Sequence, residues 1–237
     1  MHMVKWMYIN KNRGIKFDKK AVQEPVVFSD ASNKPDINDG LCRYGFSVLM
    51  AGAPIASSSK KLPHVGLSAF HNEYMALRYA ATHAMWARNL LKEIGCKHLV
   101  KEPTRIYGDN QAANKLTKAH FISTGNQYIY TPYFWIQELV KNNEIFVPYV
   151  NTKTNISDIH TKSVTTDVIK TLVPKACGYE TEWLHELMMN TTDAATPINP
   201  KHKHRVISSY CRTITEGSDF IYKEVDDNGE CLDISIA

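Results

Sequence analysis

Cysteine is scarce in this chain and follows no binding pattern. The five residues, Cys42, Cys96, Cys177, Cys211 and Cys231, are odd in number and widely scattered, and no two form a C-x-x-C pair. Neither a zinc site nor a disulfide framework is indicated, and a reducing intracellular location, cytoplasmic or nuclear, is expected. Long apolar runs are missing as well. The most hydrophobic windows are short and interrupted by polar residues, so neither a signal peptide nor a membrane span is expected. There is no internal repeat. Charge of one sign is absent too: 28 Lys and Arg stand against 24 Asp and Glu, a net charge of +4 with pI near 8.7. That balance permits a nucleic-acid partner without requiring one. Basic residues gather at the N-terminus (Lys5, Lys11, Arg13, Lys16, Lys19, Lys20), at Lys60-Lys61 and from Lys201 to Arg205. A solvated surface is the default reading of such clusters.

What is present suits a globular protein of one or two domains: 237 residues, 43% hydrophobic and 22% charged. "EPVVFSDAS" reads as a buried strand ending at Asp30. "GFSVLMAGAPIASSSKK" reads as two strands, 45–50 and 54–59, joined by Ala51-Gly52-Ala53 as a three-residue hairpin loop. The strongest helical signal follows, with Ser68 as N-cap, Gly95 as the stop, and apolar residues from Phe70 to Leu91 at helical spacing. "TRIYGD" is a fourth strand, "NQAANKL" a second helix, "PYFWIQELVKN" a third helix opened by Pro132, "EIFVPYV" a fifth strand and "NISDIHTK" the start of another helix. The order β-β-β-α-β-α-α-β-α predicts an α/β domain, a mixed five-stranded sheet with helices on its faces. From about residue 190 the chain resembles a linker, then β-rich material around an Asp227-Asn228-Gly229 turn.

Four carboxylates fall at element ends on this layout. Asp30 ends strand one, Asp109 ends strand four, Glu73 lies early in the long helix and Asp158 opens the last helix. Each has a plain reading alone: a turn or cap residue for Asp30 and Asp109, a solvated helix face for Glu73, a helix-start charge for Asp158. Together they can gather at one sheet edge, a costly arrangement unless divalent cations offset the repulsion. Oxygen-only ligands point to Mg²⁺ or Mn²⁺, and two such ions clamp the attacking water and leaving oxygen of a phosphodiester.

The wording of these segments resembles the ribonuclease H domain at the C-terminal end of Pol polyproteins from copia-type LTR retrotransposons. "FSDAS", "GAPIASSSKKLPHVGLSAFHNEYMAL", "IYGDNQAA" and "YVNTKTNISDIHTK" carry it in order, and "KWMYINKNRGIKF" is similar to the segment joining reverse transcriptase to ribonuclease H. The resemblance implies a ribonuclease H-like fold over 24–175, a connecting segment over 1–23 and an unassigned C-terminal extension over 176–237. It implies two Mg²⁺ or Mn²⁺ ions on Asp30, Glu73, Asp109 and Asp158, and cleavage of the RNA strand of an RNA–DNA hybrid. It also implies hybrid contacts from Ser58, Lys60, Asn110 and Gln111. No Tyr-x-Asp-Asp motif occurs, so a reverse transcriptase domain of a parent polyprotein is an expected partner, and a virus-like particle an expected setting if that parent is intact. His71-Asn72 stands where the family has Glu-Ala, and "TGNQYIYTPYF" where it has a basic run.

Three other readings stay open on the sequence. The first is a catalytically silent domain that binds hybrids or protein partners. The second is an integrase-type core, whose third acid would have to be Glu144. The third is a relic without function. His160 reads as a proton-transfer aid or, more plainly, a solvated helix residue. Trp86, Trp135 and Trp183 read as core rather than base-stacking residues, and "KHKHR" reads as a solvated linker.

Overall fold

The run Val26-Val27-Phe28 becomes the middle strand of the molecule. The structure is a computed structural model that describes residues 8, 11–12, 14–118, 130–191, 224–225 and 231–232. In it β1 (Val26–Ala31) is buried along its whole length. A strand covered on both faces keeps no apolar–polar alternation, and this one has none. β1 pairs antiparallel with β2 (Arg43–Met50) and parallel with β4 (Thr104–Gly108). β2 pairs antiparallel with β3 (Ala53–Lys61), and β4 pairs parallel with β5 (Ile145–Phe146). The resulting order, β3-β2-β1-β4-β5, is an open, mixed five-stranded sheet, the ribonuclease H-like architecture expected.

Two details of the sheet depart from expectation. The β2–β3 loop is the two residues Ala51 and Gly52, at φ 51° and 77°, because Ala53 already belongs to β3. Positive φ at both central positions gives the twist that two-residue hairpins favour. β5 is shorter than "EIFVPYV": after Phe146 the pairing resumes only as a lone parallel bridge between Gly108 and Tyr149. Pro148 falls in that gap and has no N–H to donate to a ladder.

One face of the sheet is covered by α1 (Ala69–Glu93). The Ser68 hydroxyl accepts from the His71 N–H at 3.1 Å, and Gly95 at φ 86° closes the helix, both as expected. Tyr74, Leu77, Ala81 and Ala84 are buried against Val27, Phe46, Val48 and Ile106. α2 (Gln111–Leu116) and α3 (Tyr130–Lys141, with Pro132 in its first turn) follow, and Tyr133 and Ile136 join the same core. Trp135 packs against this core, but Trp86 is 47% exposed, contrary to the core reading.

The other face is covered by α4 (Asp158–Thr161), α5 (Thr166–Ala176) and α6 (Glu182–Asn190). Leu172, Ala176 and Leu184 bury Val26, Phe28, Leu49 and Tyr107. Phe28 stacks on Tyr107 at 5.1 Å and leans on Trp183 at 5.5 Å. The compact unit runs from Met1 to Thr192, past the boundary expected near 175, because α6 supplies part of the core of this face. The lead-in belongs to the same unit, with Lys16 N–H bonded to Cys177 O and Asp18 N–H to Ala51 O, both at 2.9 Å. In the second unit, Asp193–Ala237, β6 (Glu224–Val225) pairs antiparallel with β7 (Cys231–Leu232). The Asp227-Asn228-Gly229 turn, "KHKHR" and residues 124–129 of the "TGNQYIY" segment lie outside the described residues. Among the described residues no helix is long and apolar enough to cross a membrane.

Candidate metal centre

The register of the two central strands brings two of the acids together. β1 and β4 run parallel with Ser29 level with Gly108, so the next residues, Asp30 and Asp109, come side by side, Asp30 still paired with Gly45 of β2 and Asp109 just past the end of β4. Asp158, the first residue of α4, joins them from above β1 and β2. One carboxylate oxygen from each of Asp30, Asp109 and Asp158 lies within 4.8 Å of the other two. Asp30 is fully buried, while Asp109 and Asp158 are partly open to solvent.

Glu73 stands just outside this trio. It comes from α1, and its Oε2 accepts from the Ala31 N–H at 3.1 Å. Its charge still feels the others: burial, then Asp30 and Asp109, push its carboxyl up to about 9, with Lys162 and the Ala31 N–H opposing. Burial likewise pushes Asp30 up to about 7, against the pull of Lys162 and Thr161, with Asp158 and Asp109 adding to the rise. Crowded, desolvated carboxylates resist ionising unless a cation joins them. The donors are all carboxylate oxygens, which suits a hard divalent cation such as Mg²⁺ or Mn²⁺ and not a soft one.

Polar neighbours fix each acid. The Thr161 hydroxyl donates to Asp30 Oδ2, and Thr152 Oγ1 donates to Asp109 Oδ2 at 2.8 Å. Lys162 Nζ lies 2.8 Å from Asp158 Oδ1 and 3.4 Å from Asp30 Oδ1. Burial works against the Lys162 charge, but its bond to Asp158 and the neighbouring carboxylates hold its pKa above normal. Buried Asn155 ties the approach to α4 onto β1, donating to Ser29 O at 2.9 Å and accepting from Ser157 N–H at 3.1 Å. His160 is not a solvated residue. It is half-buried, its Nε2 sits 2.8 Å from Ser47 Oγ, and its carbonyl accepts from Ser59 Oγ at 2.5 Å. Burial lowers its pKa.

Thr152, Thr161 and Lys162 all fall inside the block "YVNTKTNISDIHTK" that carries the resemblance, but the sequence assigned a role to none of them. The i,i+4 charge pair Asp158–Lys162 was the one readable signal.

The expected hybrid-contact residues divide. Gln111 is exposed beside Asp109 and lines a shallow cavity of about 250 Å³ with Asn114, Lys115, Lys118, Val147 and Tyr149. Asn110 has a structural task, its Oδ1 capping α2 by accepting from Ala112 and Ala113 N–H at 3.1 and 3.0 Å. Ser58 and Lys60 are on edge strand β3, paired with Phe46 and Tyr44. The pleat puts them on the α1 face, opposite to Ser59, which pairs with Gly45 on the face of Asp30. Glu144 is remote from the acids. It meets Arg88 at 2.7 Å, and its carbonyl bonds Thr104 N–H at the far end of β4, five residues and roughly 16 Å of strand from Asp109. The integrase-type reading loses its third acid.

No family model matches the chain. It is 28% identical over 143 residues, 60% of its length, to the retrovirus-related Pol polyprotein from transposon TNT 1-94 of Nicotiana tabacum. It is 27% identical over 164 residues, 69% of its length, to the retrovirus-related Pol polyprotein from transposon RE1 of Arabidopsis thaliana. These stretches cover 10% and 11% of the relatives, so the chain spans about a tenth of the polyproteins it matches. Among solved structures, it is similar to the N-terminal RNase H domain of Rv2228c from Mycobacterium tuberculosis, solved as a maltose binding protein fusion. That likeness has a TM-score of 0.42 at 16% identity and covers 63% of this chain and 97% of the other. LC11-RNase H1 in complex with an RNA/DNA hybrid gives 0.41 at 13% identity, covering 58% and 94%.

Proposed function

We propose that this chain, homologous to a stretch of transposon Pol polyproteins, is a ribonuclease H-type endonuclease that hydrolyses the RNA strand of an RNA–DNA hybrid with Mg²⁺ or Mn²⁺. The observation that carries the reading is the meeting of Asp30, Asp109 and Asp158 where two adjacent parallel strands end. Ligands bind at such strand ends in open α/β sheets. Asp30, Asp109 and Asp158 would hold the ions, with Glu73 completing the charge from below. Divalent ions held there would supply a nucleophilic water at neutral pH and charge to offset that on the leaving oxygen.

The chain's own residues do the rest. Thr161 and Thr152 orient Asp30 and Asp109, so that neither carboxylate has to be ordered when substrate arrives. Buried Asp30 excludes water from one side of the centre. Gln111, exposed two residues after Asp109, would read 2′-hydroxyls across a wide minor groove, while Lys115 and Lys118 along the same cavity as Gln111 would neutralise phosphates. A reverse transcriptase domain of the parent polyprotein is the proposed protein partner.

The test is cleavage of a labelled RNA–DNA hybrid by wild type and Asp109→Asn, with Mg²⁺, Mn²⁺ or chelator. Metal-dependent cutting that falls at least ~100-fold in the variant is expected. Binding of the hybrid without cutting would replace the enzyme by a binding domain. Neither binding nor cutting would overturn the reading.

A further inference from the structure

Lys162 occupies an unusual place. Its ammonium sits against Asp158 Oδ1 and Asp30 Oδ1, two of the three carboxylates whose oxygens converge. Asp30 is wholly buried and flanked by acids, so a counter-charge is needed whenever no other cation is present. The backbone of Lys162 is fixed independently, its N–H bonded to Asp158 O at 3.2 Å where α4 ends. The side chain is 39% exposed, so the ammonium has a path to solvent that disturbs neither α4 nor β1.

A lysine and a divalent ion compete for these carboxylates, because two cations held against the same acids repel one another. We propose that Lys162 is a tethered counter-cation: it holds Asp30 and Asp158 together until divalent ions displace it, and its freed ammonium then takes a phosphate oxygen of the bound nucleic acid. The proposal rests on the nuclease reading and adds an order to it. Metal loading and substrate charge become linked through one side chain, since the release that admits the ions also presents a positive charge to the polyanion.

The linkage makes a prediction that an ordinary structural lysine would not satisfy, because two binding constants move in opposite directions. Mn²⁺ titration calorimetry without nucleic acid is expected to show about tenfold tighter binding by Lys162→Met, since the competitor has gone. The same variant loses one phosphate contact, so its hybrid binding weakens and the slope of log affinity against log salt falls by about one. Lys162→Arg, which keeps the charge, should return the salt slope to wild type. Lys162→Gln gives the same comparison if the Met variant folds poorly, as checked by its melting curve.

Mn²⁺ affinity that is unchanged or weaker in both neutral variants overturns the proposal. An unchanged salt slope overturns its second half, the phosphate contact. If wild type binds Mn²⁺ and cuts hybrid while these constants stay put, the inference alone fails. If wild type does neither, the nuclease reading falls and takes the inference with it.

Discussion

A carboxylate as enclosed as Glu73, with one backbone N–H for a partner, sits more comfortably protonated than charged. Its native pKa, raised to about 9 from an ordinary 4.5, links stability to pH in a definite direction. Below about pH 4.5 the native and unfolded groups are both protonated and stability is complete. Between there and about 9 the unfolded chain ionises while the native one resists, so stability falls as pH rises. Asp30, raised to about 7, acts in the same sense. Without divalent ions, the melting temperature is expected to drop by several degrees across that window, on the order of 2 kcal/mol. Glu73→Gln should flatten the decline, and Mg²⁺ should offset it most at the alkaline end, as read by scanning calorimetry at stepped pH. Asp30 and Asp109 were legible in the sequence because a strand ending on a carboxylate is a local pattern. Their partners Thr161 and Thr152 were not, since the Thr161–Asp30 bond spans 131 residues and a threonine carries no signal of its own.

At the scale of the element, the short helix α4 carries much of the centre on four residues, too few to be stable by itself. Its stability comes from its seat. Gly45 in β2 leaves no room for a side chain: a Cβ there would come within 2.4 Å of His160 Cβ and 3.1 Å of Thr161 Cγ2. Ser47 and Ser59 then bond the His160 ring and carbonyl. Helix and strands are thus pressed together where Asp158 must face Asp30. Gly45→Ala is expected to lift α4, costing ~1–3 kcal/mol in urea unfolding. It should weaken Mn²⁺ binding more than an equally destabilising change placed in the α1 core, such as a truncation at Leu77. A seat of this kind is illegible beforehand, because Gly45, Ser47 and Ser59 are unremarkable within "RYGFSVLM" and "APIASSSKK" until the register pairs them with residues more than a hundred positions away. The helix was legible; what it rests on was not.

For the molecule as a whole, the two faces of the sheet divide the work. The α1 face holds most of the large aliphatic and aromatic core and brings Glu73 to the acids. The α4–α6 face is smaller and is the face on which Asp30 lies and α4 carries Asp158. The succession of strands and helices along the chain and the α1 core could be read from periodicity, since both rest on local patterns repeated over many residues. The contribution of α6 could not. "EWLHELMMN" shows an apolar stripe without saying what it covers, and a change of composition near 190 is a weaker boundary signal than a family resemblance ending near 175. Leu184 decides the matter physically, being 1% exposed in the same cluster as Val26, Phe28 and Tyr107. Leu184→Ala should therefore cost ~2–4 kcal/mol in denaturant unfolding, the usual penalty for a buried leucine truncation. Because Leu184 is bonded to none of the carboxylates, whose partners Thr161, Thr152 and Lys162 stay in place, Mn²⁺ affinity well below the melting temperature should stay within about threefold of wild type. An unfolding midpoint indistinguishable from wild type would mean that α6 is dispensable and that the domain ends where the resemblance does.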